Sequence, residues 1–454
     1  MKDIQTSTLS NKEFSFNILN SIQVEVQVEK NDYNLPLDDL FMMAARINKK
    51  RSFLFVSKVL GKHFPINPNK GLLTSALLAA RYYEVIKGGV CTSKNRWVSS
   101  FLMHEPSFTR SSFIPRTIHP LIIGFAETAT ALGHAFFDCF ESADYVHTTR
   151  EVLEGQHPVI TFEEEHSHAT SHRCYMPLDM IENNREIILV DDELTTGKTA
   201  LNIIRSIHAR FPRSEYSVVS ILDWRSEENK RQFKQLEKSL GITIHVVSLI
   251  AGTVQVKQQK EIAEQSEINH GFPDKSANIE AIYLPSFFEI VDFPSVLSNG
   301  RVNHTPFLLE TGRFGINGDL NRQNQQKITK TASFLKRKRS GRKTLCLGTG
   351  EFMYLPMKIA AEMGPGISYQ STTRSPIFIQ NEPQYGARYG VAFPNPEDMD
   401  IAHFVYNIPP GNYDEIFLFF EREVDYENLL QMLKELEKTH IKSIKLVYFL
   451  AKLG

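Results

Sequence analysis

Two adjacent carboxylates followed by a hydroxyl- and glycine-bearing run are the residues best suited to chemistry: Val190-Asp191-Asp192-Glu193-Leu194-Thr195-Thr196-Gly197-Lys198-Thr199-Ala200. Thr and Gly at the start of a helix offer unpaired backbone N–H groups and hydroxyl donors to an anion, and the helix dipole adds a favourable field. That is the composition of a phosphate cradle. Like charges repel, so Asp191 and Asp192 should face something neutral or cationic attached to the phosphate, such as sugar hydroxyls or a hydrated metal ion. Gly197-Lys198-Thr199 is not a nucleoside-triphosphate P-loop, because that motif needs glycine where this chain has Asp192.

A second candidate is Gly124-Phe125-Ala126-Glu127-Thr128, directly after the apolar Leu121-Ile122-Ile123. Its backbone amides could approach a diphosphate, and a plain strand-to-helix turn is the alternative. Between the two loops lie Thr148-Thr149-Arg150 and a polar stretch containing His166, His168, His172 and Arg173. Neither Cys nor a fixed ligand spacing accompanies those histidines, which favours solvated loop residues over a metal site, and no direct metal ligand is assigned. Trp224, in Asp223-Trp224-Arg225, suits base stacking and core packing equally.

The elements that must position these residues follow from hydrophobic periodicity. Glu186 to Val190 reads as a strand, and Ala200, Ile203, Ile204, Ile207 and Phe211 trace one face of a helix that Pro212 stops. Ser217 to Leu222 reads as a strand, Ser226 to Leu240 as a helix and Ile242 to Ile250 as a strand. The order β-α-β-α-β indicates a doubly wound α/β fold, with ligands at the C-terminal ends of the strands. Apolar residues also recur at helical spacing over Asp38–Phe64 and Lys70–Ile86. Residues 1–35 are polar and are expected to be a flexible segment. Regularity is lost over 251–300, which sets an expected boundary between a domain of residues 36–300 and one of residues 301–454.

The second domain echoes the first. Gly124 and Thr148 are 24 positions apart, as are Gly348 and Thr372, and both pairs are offset by 224. The repeat places Gly348, Gly350 and Glu351 in a loop and Thr372, Thr373, Arg374 and Ser375 after a strand, a grouping of hydroxyls and arginine suited to phosphate or carboxylate. Asp414 to Asp425, where the copy should carry its acidic phosphate loop, has no Thr-Gly run. The copy is expected to have lost that site.

Composition bounds the rest. The 454 residues carry 51 basic and 52 acidic side chains, a net charge of −1 that gives no global argument for nucleic-acid binding. The basic run Lys336–Lys343 reads as a solvated face. Neither a membrane span nor a secretory signal is apparent, and a cytoplasmic location is expected. Cys91, Cys139, Cys174 and Cys346 are too scattered for a metal or redox pair and are expected to be buried thiols.

The acidic pair and Thr/Gly loop resemble the signature of type I phosphoribosyltransferases, and Thr373-Arg374-Ser375-Pro376 after such a domain resembles the TRSP-domain architecture associated with tellurium resistance. The resemblance implies a doubly wound type I phosphoribosyltransferase fold followed by a degenerate phosphoribosyltransferase-like α/β domain. It also implies transfer of 5-phosphoribosyl from phosphoribosyl pyrophosphate (PRPP) to a nitrogenous base or base-like acceptor, with Mg2+ held mainly through PRPP. Asp191 and Asp192 would then hold the ribose, the loop from Glu193 to Thr199 the 5′-phosphate, and Gly124–Thr128 the pyrophosphate, supported by Thr149, Arg150 and Arg173. Some base-salvage members carry an acid where this chain has Thr195, so the chain is more similar to the orotate type and its proton acceptor is unassigned. A regulator that binds PRPP or a nucleotide without chemistry is the rival reading. A homodimer is allowed, and neither a membrane nor a nucleic acid is expected as a partner.

Overall fold

The computed structural model describes residues 6–10, 12–47, 52–103, 105–109, 112–163, 171–260, 262 and 276–450. Two sheets, one parallel-rich and one wholly parallel, organise them. In the first, five parallel strands run in the spatial order Thr243–Gln259, Glu215–Asp223, Ile187–Leu194, Leu121–Gly124 and Asp144–His147. Ile187, Ile188, Leu189 and Val190 are fully buried, the unbroken apolar run of a strand covered on both faces. Helical crossovers join Leu121–Gly124 to Asp144–His147 and carry the chain from Ile187–Leu194 through Glu215–Asp223 to Thr243–Gln259, as the periodicity requires, whereas the link from Asp144–His147 to Ile187–Leu194 contains short strands and no α-helix among the described residues.

The N-terminal segment is ordered rather than flexible over residues 12–35. Glu13–Ile18 and Ile22–Lys30 form antiparallel strands, and the latter pairs with Thr243–Gln259. Their alternation of buried Phe16, Ile18, Ile22, Val24, Val26 and Val28 with polar residues is the period-two pattern of a half-buried strand. The expected helix over Asp38–Phe64 is instead largely an antiparallel pair, Phe41–Ala45 with Phe53–Ser57. Short apolar runs do not distinguish helix from strand by period alone. The second expected helix is present as Pro68–Ile86, capped by the Asn67 side chain, which accepts from the Asn69 N–H at 3.0 Å.

The second sheet has the order Asn278–Tyr283, Ser443–Leu450, Glu415–Arg422, Thr344–Gly348 and Ile367–Ser371, again all parallel. Its first strand precedes the boundary expected near residue 300. The fifth position of each five-strand set is thus filled from opposite ends of the local sequence, by Thr243–Gln259 after the other four and by Asn278–Tyr283 before them.

The two units also exchange edges. Ile316–Asn317, which leads into the helix Gly318–Lys336, pairs antiparallel with Asp144–His147 of the first sheet. Reciprocally, Ile66, just before the helix Pro68–Ile86, bridges Tyr369 of the second sheet. The equivalent helices Ala129–Phe137 and Tyr354–Glu362 pack where the units meet, with the His134 ring stacked on Tyr354 at 3.6 Å. Asp138 there accepts from Tyr354 Oη at 2.5 Å and from Lys358 Nζ at 3.3 Å. Among the described residues no helix is long and apolar enough to cross a membrane, and the four cysteines are buried and form no disulfide among the described residues.

Candidate active site

The central strand carries Asp191, Asp192 and Glu193 at its C-terminal end, where the side chains pass from full to partial burial. Its neighbour supplies the other loop: Val190 pairs with Gly124, and Phe125 N–H donates to the Val190 carbonyl at 3.0 Å. The acidic pair and the Gly124–Thr128 loop therefore leave the sheet side by side. The Asp192 N–H donates to Asp191 Oδ1 at 2.9 Å. Leu194 is buried, so its side chain belongs to the core and only its backbone can serve the loop.

Gly197 turns the chain into the helix Lys198–Arg210 with φ 74°, and no side chain caps that helix. The left-handed conformation favours glycine. A Cβ here would also lie 2.6 Å from the Phe233 ring. Thr195, Thr196, Lys198 and Thr199 are half-buried around the turn, and Lys198 N–H donates to Thr196 Oγ1 at 3.3 Å. Hydroxyls and helix-terminal amides thus gather beside two carboxylates.

The neighbouring loop is fixed by Thr148. Its Oγ1 accepts from Ala126 N–H at 2.8 Å and meets His172 Nδ1 at 2.9 Å, while its N–H donates to the Gly124 carbonyl at 2.8 Å. The Ala126–Glu127 peptide is cis. Glu127 is buried, with Lys62 Nζ at 3.7 Å, Arg150 Nη1 at 3.8 Å and the Arg374 N–H at 3.5 Å. Burial opposes its ionisation, but Lys62 and Arg150 outweigh that and hold its pKa down at about 2. Lys62 Nζ also donates to Thr128 Oγ1 at 2.5 Å.

The remaining expected residues divide. Arg150 joins the loop, whereas Arg173 pairs its backbone with Thr149 and donates from Nη1 to the Arg150 carbonyl at 3.3 Å. Thr149 faces the other unit, where its Oγ1 donates to Glu351 Oε2 at 2.6 Å. Trp224 is a packing residue: it is buried, stacked on Phe55 at 5.3 Å and set edge-on to Phe41, so it offers no face to a base. His166 and His168 lie outside the described residues. His172 is buried and stacks on Phe162 at 5.1 Å.

The second unit repeats the first loop bond by bond. Thr372 N–H donates to the Gly348 carbonyl at 3.0 Å, Thr372 Oγ1 accepts from Gly350 N–H at 2.9 Å, and the same oxygen meets His403 Nδ1 at 3.0 Å. Thr373 pairs with Phe404 as Thr149 pairs with Arg173. Ser375 N–H donates to Thr373 Oγ1 at 3.1 Å, closing the turn after the strand. The loops are tied reciprocally, since Glu127 accepts from the Arg374 N–H and Glu351 accepts from the Arg150 N–H at 2.8 Å.

Strand register shows where the second unit differs. Ile187 pairs with Leu121, and Ile416 pairs with Leu345, so Phe420 stands at the place of Asp191, Glu421 at Asp192 and Arg422 at Glu193. Val424-Asp425-Tyr426 takes the place of Thr195-Thr196-Gly197. Glu421 is buried and accepts from Arg313 Nη1 at 2.9 Å with both oxygens; burial pushes its pKa up. Arg422 Nη2 donates to Glu397 at 2.8 Å.

Lys62, His403, Glu421 and Arg422 were not legible as site residues. One signal was available: Gly61-Lys62 and Gly312-Arg313 both precede an Asn-capped helix of 19 residues. Both glycines have positive φ and lie against an equivalent tyrosine, Tyr369 or Tyr145.

Residues 40–253 match a family model described as phosphoribosyl transferase, and residues 310–436 match one described as the TRSP domain C-terminal to it. The chain thus carries a phosphoribosyltransferase-family region followed by a TRSP domain. Its first unit has the type I phosphoribosyltransferase fold, and a second α/β unit follows. No curated protein matches the chain in sequence.

Solved structures similar to part of the chain include adenine phosphoribosyltransferase from Trypanosoma brucei, in complex with AMP, pyrophosphate and ribose-5-phosphate. It shows 12% identity and a TM-score of 0.32, over 50% of this chain and 82% of that one. The Leishmania tarentolae adenine enzyme shows 14% identity and a TM-score of 0.29, over 54% and 94%. Orotate phosphoribosyltransferase from Aeropyrum pernix shows 12% identity and a TM-score of 0.26, over 47% and 88%.

Proposed function

We propose that the first unit transfers 5-phosphoribosyl from PRPP to a nitrogenous base or base-like acceptor. The bond from C1 of the ribose to the diphosphate oxygen breaks, a bond from C1 to the acceptor nitrogen forms, and the nitrogen's proton passes to a general base. The observation that carries this reading is the pairing of Val190 with Gly124, which brings the acidic pair and the Gly124–Thr128 loop to one edge of the sheet.

In this reading the N-terminal amides of the Lys198–Arg210 helix and the hydroxyls of Thr195, Thr196 and Thr199 hold the 5′-phosphate. Asp191 and Asp192 accept from the ribose hydroxyls and support positive charge developing on the sugar. The Gly124–Thr128 loop, braced by Thr148, receives the diphosphate, with Arg150 beside it. Two carboxylates at a half-buried strand end are hard oxygen donors that fit Mg2+. Bound with PRPP, Mg2+ would neutralise charge on the departing diphosphate.

Diphosphate release from PRPP with a panel of nitrogenous bases tests the proposal. Asp191→Asn with Asp192→Asn should abolish release while the circular dichroism spectrum stays unchanged. Undiminished release by that variant would overturn the assignment. PRPP binding by the wild type without release for any base would favour the regulator instead.

A further inference from the structure

The second unit keeps one half of the first unit's site and rebuilds the other. Its loop at Gly348–Glu351 retains the hydrogen bonds of the Gly124–Glu127 loop, as described above, while the sugar-facing carboxylate and the phosphate-cradle turn are replaced. Around the retained half lies a small, polar cavity whose walls include Arg313, Arg374, Arg422, His403 and Glu397.

Its walls hold two buried guanidinium donors without acceptors among the described residues. Arg313 and Arg422 are 3% and 1% exposed, yet the Nε of each has no acceptor among the described residues, and neither does His403 Nε2 have a partner. The Arg374 guanidinium, half-buried on the rim, makes no ion pair among the described residues. The carboxylates that also line the cavity are engaged. Glu421 is held by Arg313, Glu397 by Arg422, Glu351 by Thr149 and the Arg150 N–H, and Glu151 lies 3.9 Å from Arg422. Buried donors without acceptors are costly, and guanidinium groups suit planar or tetrahedral oxygens.

We propose that the cleft formed by the Gly348–Glu351 loop, Arg374 and Arg422 binds a small oxyanion, of the phosphate, diphosphate or carboxylate class, separately from the PRPP site of the first unit. Phe420 in place of the first aspartate and Asp425 in the replaced turn exclude a sugar phosphate: one gives no hydroxyl acceptor and the other repels the 5′-phosphate.

The test uses the full chain carrying Asp191→Asn, Asp192→Asn and Thr196→Ala, so that its outcome does not depend on transfer by the first unit. Inorganic phosphate, inorganic diphosphate and malonate are titrated calorimetrically into this protein with and without Arg374→Gln. Crystals soaked in tungstate locate the anion. The expected result is saturable binding weakened at least tenfold by Arg374→Gln, with anomalous density beside Arg374 and Arg422. Binding of phosphate or diphosphate alone would assign the phosphate class, and binding of malonate as well would extend the site to carboxylates. Arg374→Lys keeps the positive charge and should restore part of the affinity if Arg374→Gln has only removed a ligand group. No binding of any of the three, binding indifferent to Arg374→Gln, or density confined to the Gly124–Thr128 loop would overturn the proposal.

Discussion

Replacing Gly197 by alanine tests the site's most demanding turn, because two separable penalties meet there. Gly197 has φ 74°, and a Cβ would lie 2.6 and 2.7 Å from two Phe233 ring atoms and 3.1 Å from Arg225 Cδ. The left-handed conformation costs a non-glycine residue about 1–2 kcal/mol. Forcing an extra carbon into packed surroundings costs about 1–3 kcal/mol more. Phe233 cannot simply swing away, since the Arg225 guanidinium sits 4.3 Å over its ring and is itself held by Asp223 at 2.8 Å. Gly197→Ala should therefore lose about 2–5 kcal/mol in urea unfolding, the sum of those two ranges. A turn displaced to relieve the overlap should also weaken PRPP binding at least tenfold, equivalent to about 1.4 kcal/mol.

Gly241 supplies an internal control. It has φ 67°, ends the helix Glu227–Leu240 and would place a Cβ in open space. Gly241→Ala should show the conformational cost alone, about 1–2 kcal/mol, with PRPP affinity unchanged. If Gly197→Ala proved no more destabilising than Gly241→Ala, the steric argument would be wrong. If it left PRPP binding intact, the turn would not be the phosphate cradle.

Two further outcomes follow from the buried charges. Glu127 and Glu415 are both held down to about pKa 2; burial opposes ionisation, but cations around Glu127, and Lys445 and Ser340 hydrogen bonds at Glu415, prevail. A depressed folded-state pKa gives stability that is present above the unfolded value, 4.5, and lost as pH falls toward 2. Urea unfolding from pH 7 to pH 2.5 should show that loss, and Glu127→Gln should flatten part of it; an identical slope in the variant would refute the Glu127 assignment. The equivalent acids of the two units should also differ: Glu421→Ala leaves the buried Arg313 guanidinium short of its main partner and should cost about 3–5 kcal/mol. Asp192→Ala, at a half-buried strand end, should cost about 1 kcal/mol or less, and equal losses in thermal unfolding would contradict the contrast between a buried, ion-paired Glu421 and an open Asp192.

Local patterning was sufficient for the first unit's centre. An apolar run at Ile187–Val190 has to be a buried strand, the acids after it have to emerge at the strand end, and Thr195 to Thr199 have to open the helix whose apolar face runs from Ala200 to Ile207. Those are relations between neighbours in sequence, and hydrophobic periodicity reports them directly. The spacing of Gly124 to Thr148 and of Gly348 to Thr372 also disclosed the repeat, because equal loop-to-strand distances survive when side chains diverge. Trp224 lay beyond that reach: its own type allows base stacking or packing, and only the approach of Phe55 and Phe41 from a remote hairpin selects packing. The edge exchange was equally hidden. Ile66 and Ile316 belong by sequence to one unit and by hydrogen bonding to the other, so Lys62 approaches Glu127 and Arg313 approaches Glu421 through a pairing that no local pattern encodes. Local periodicity thus determined the strand, the acids and the loop, whereas long-range strand pairing decided which cations stand beside them and which of the two acidic strand ends is left open to a ligand.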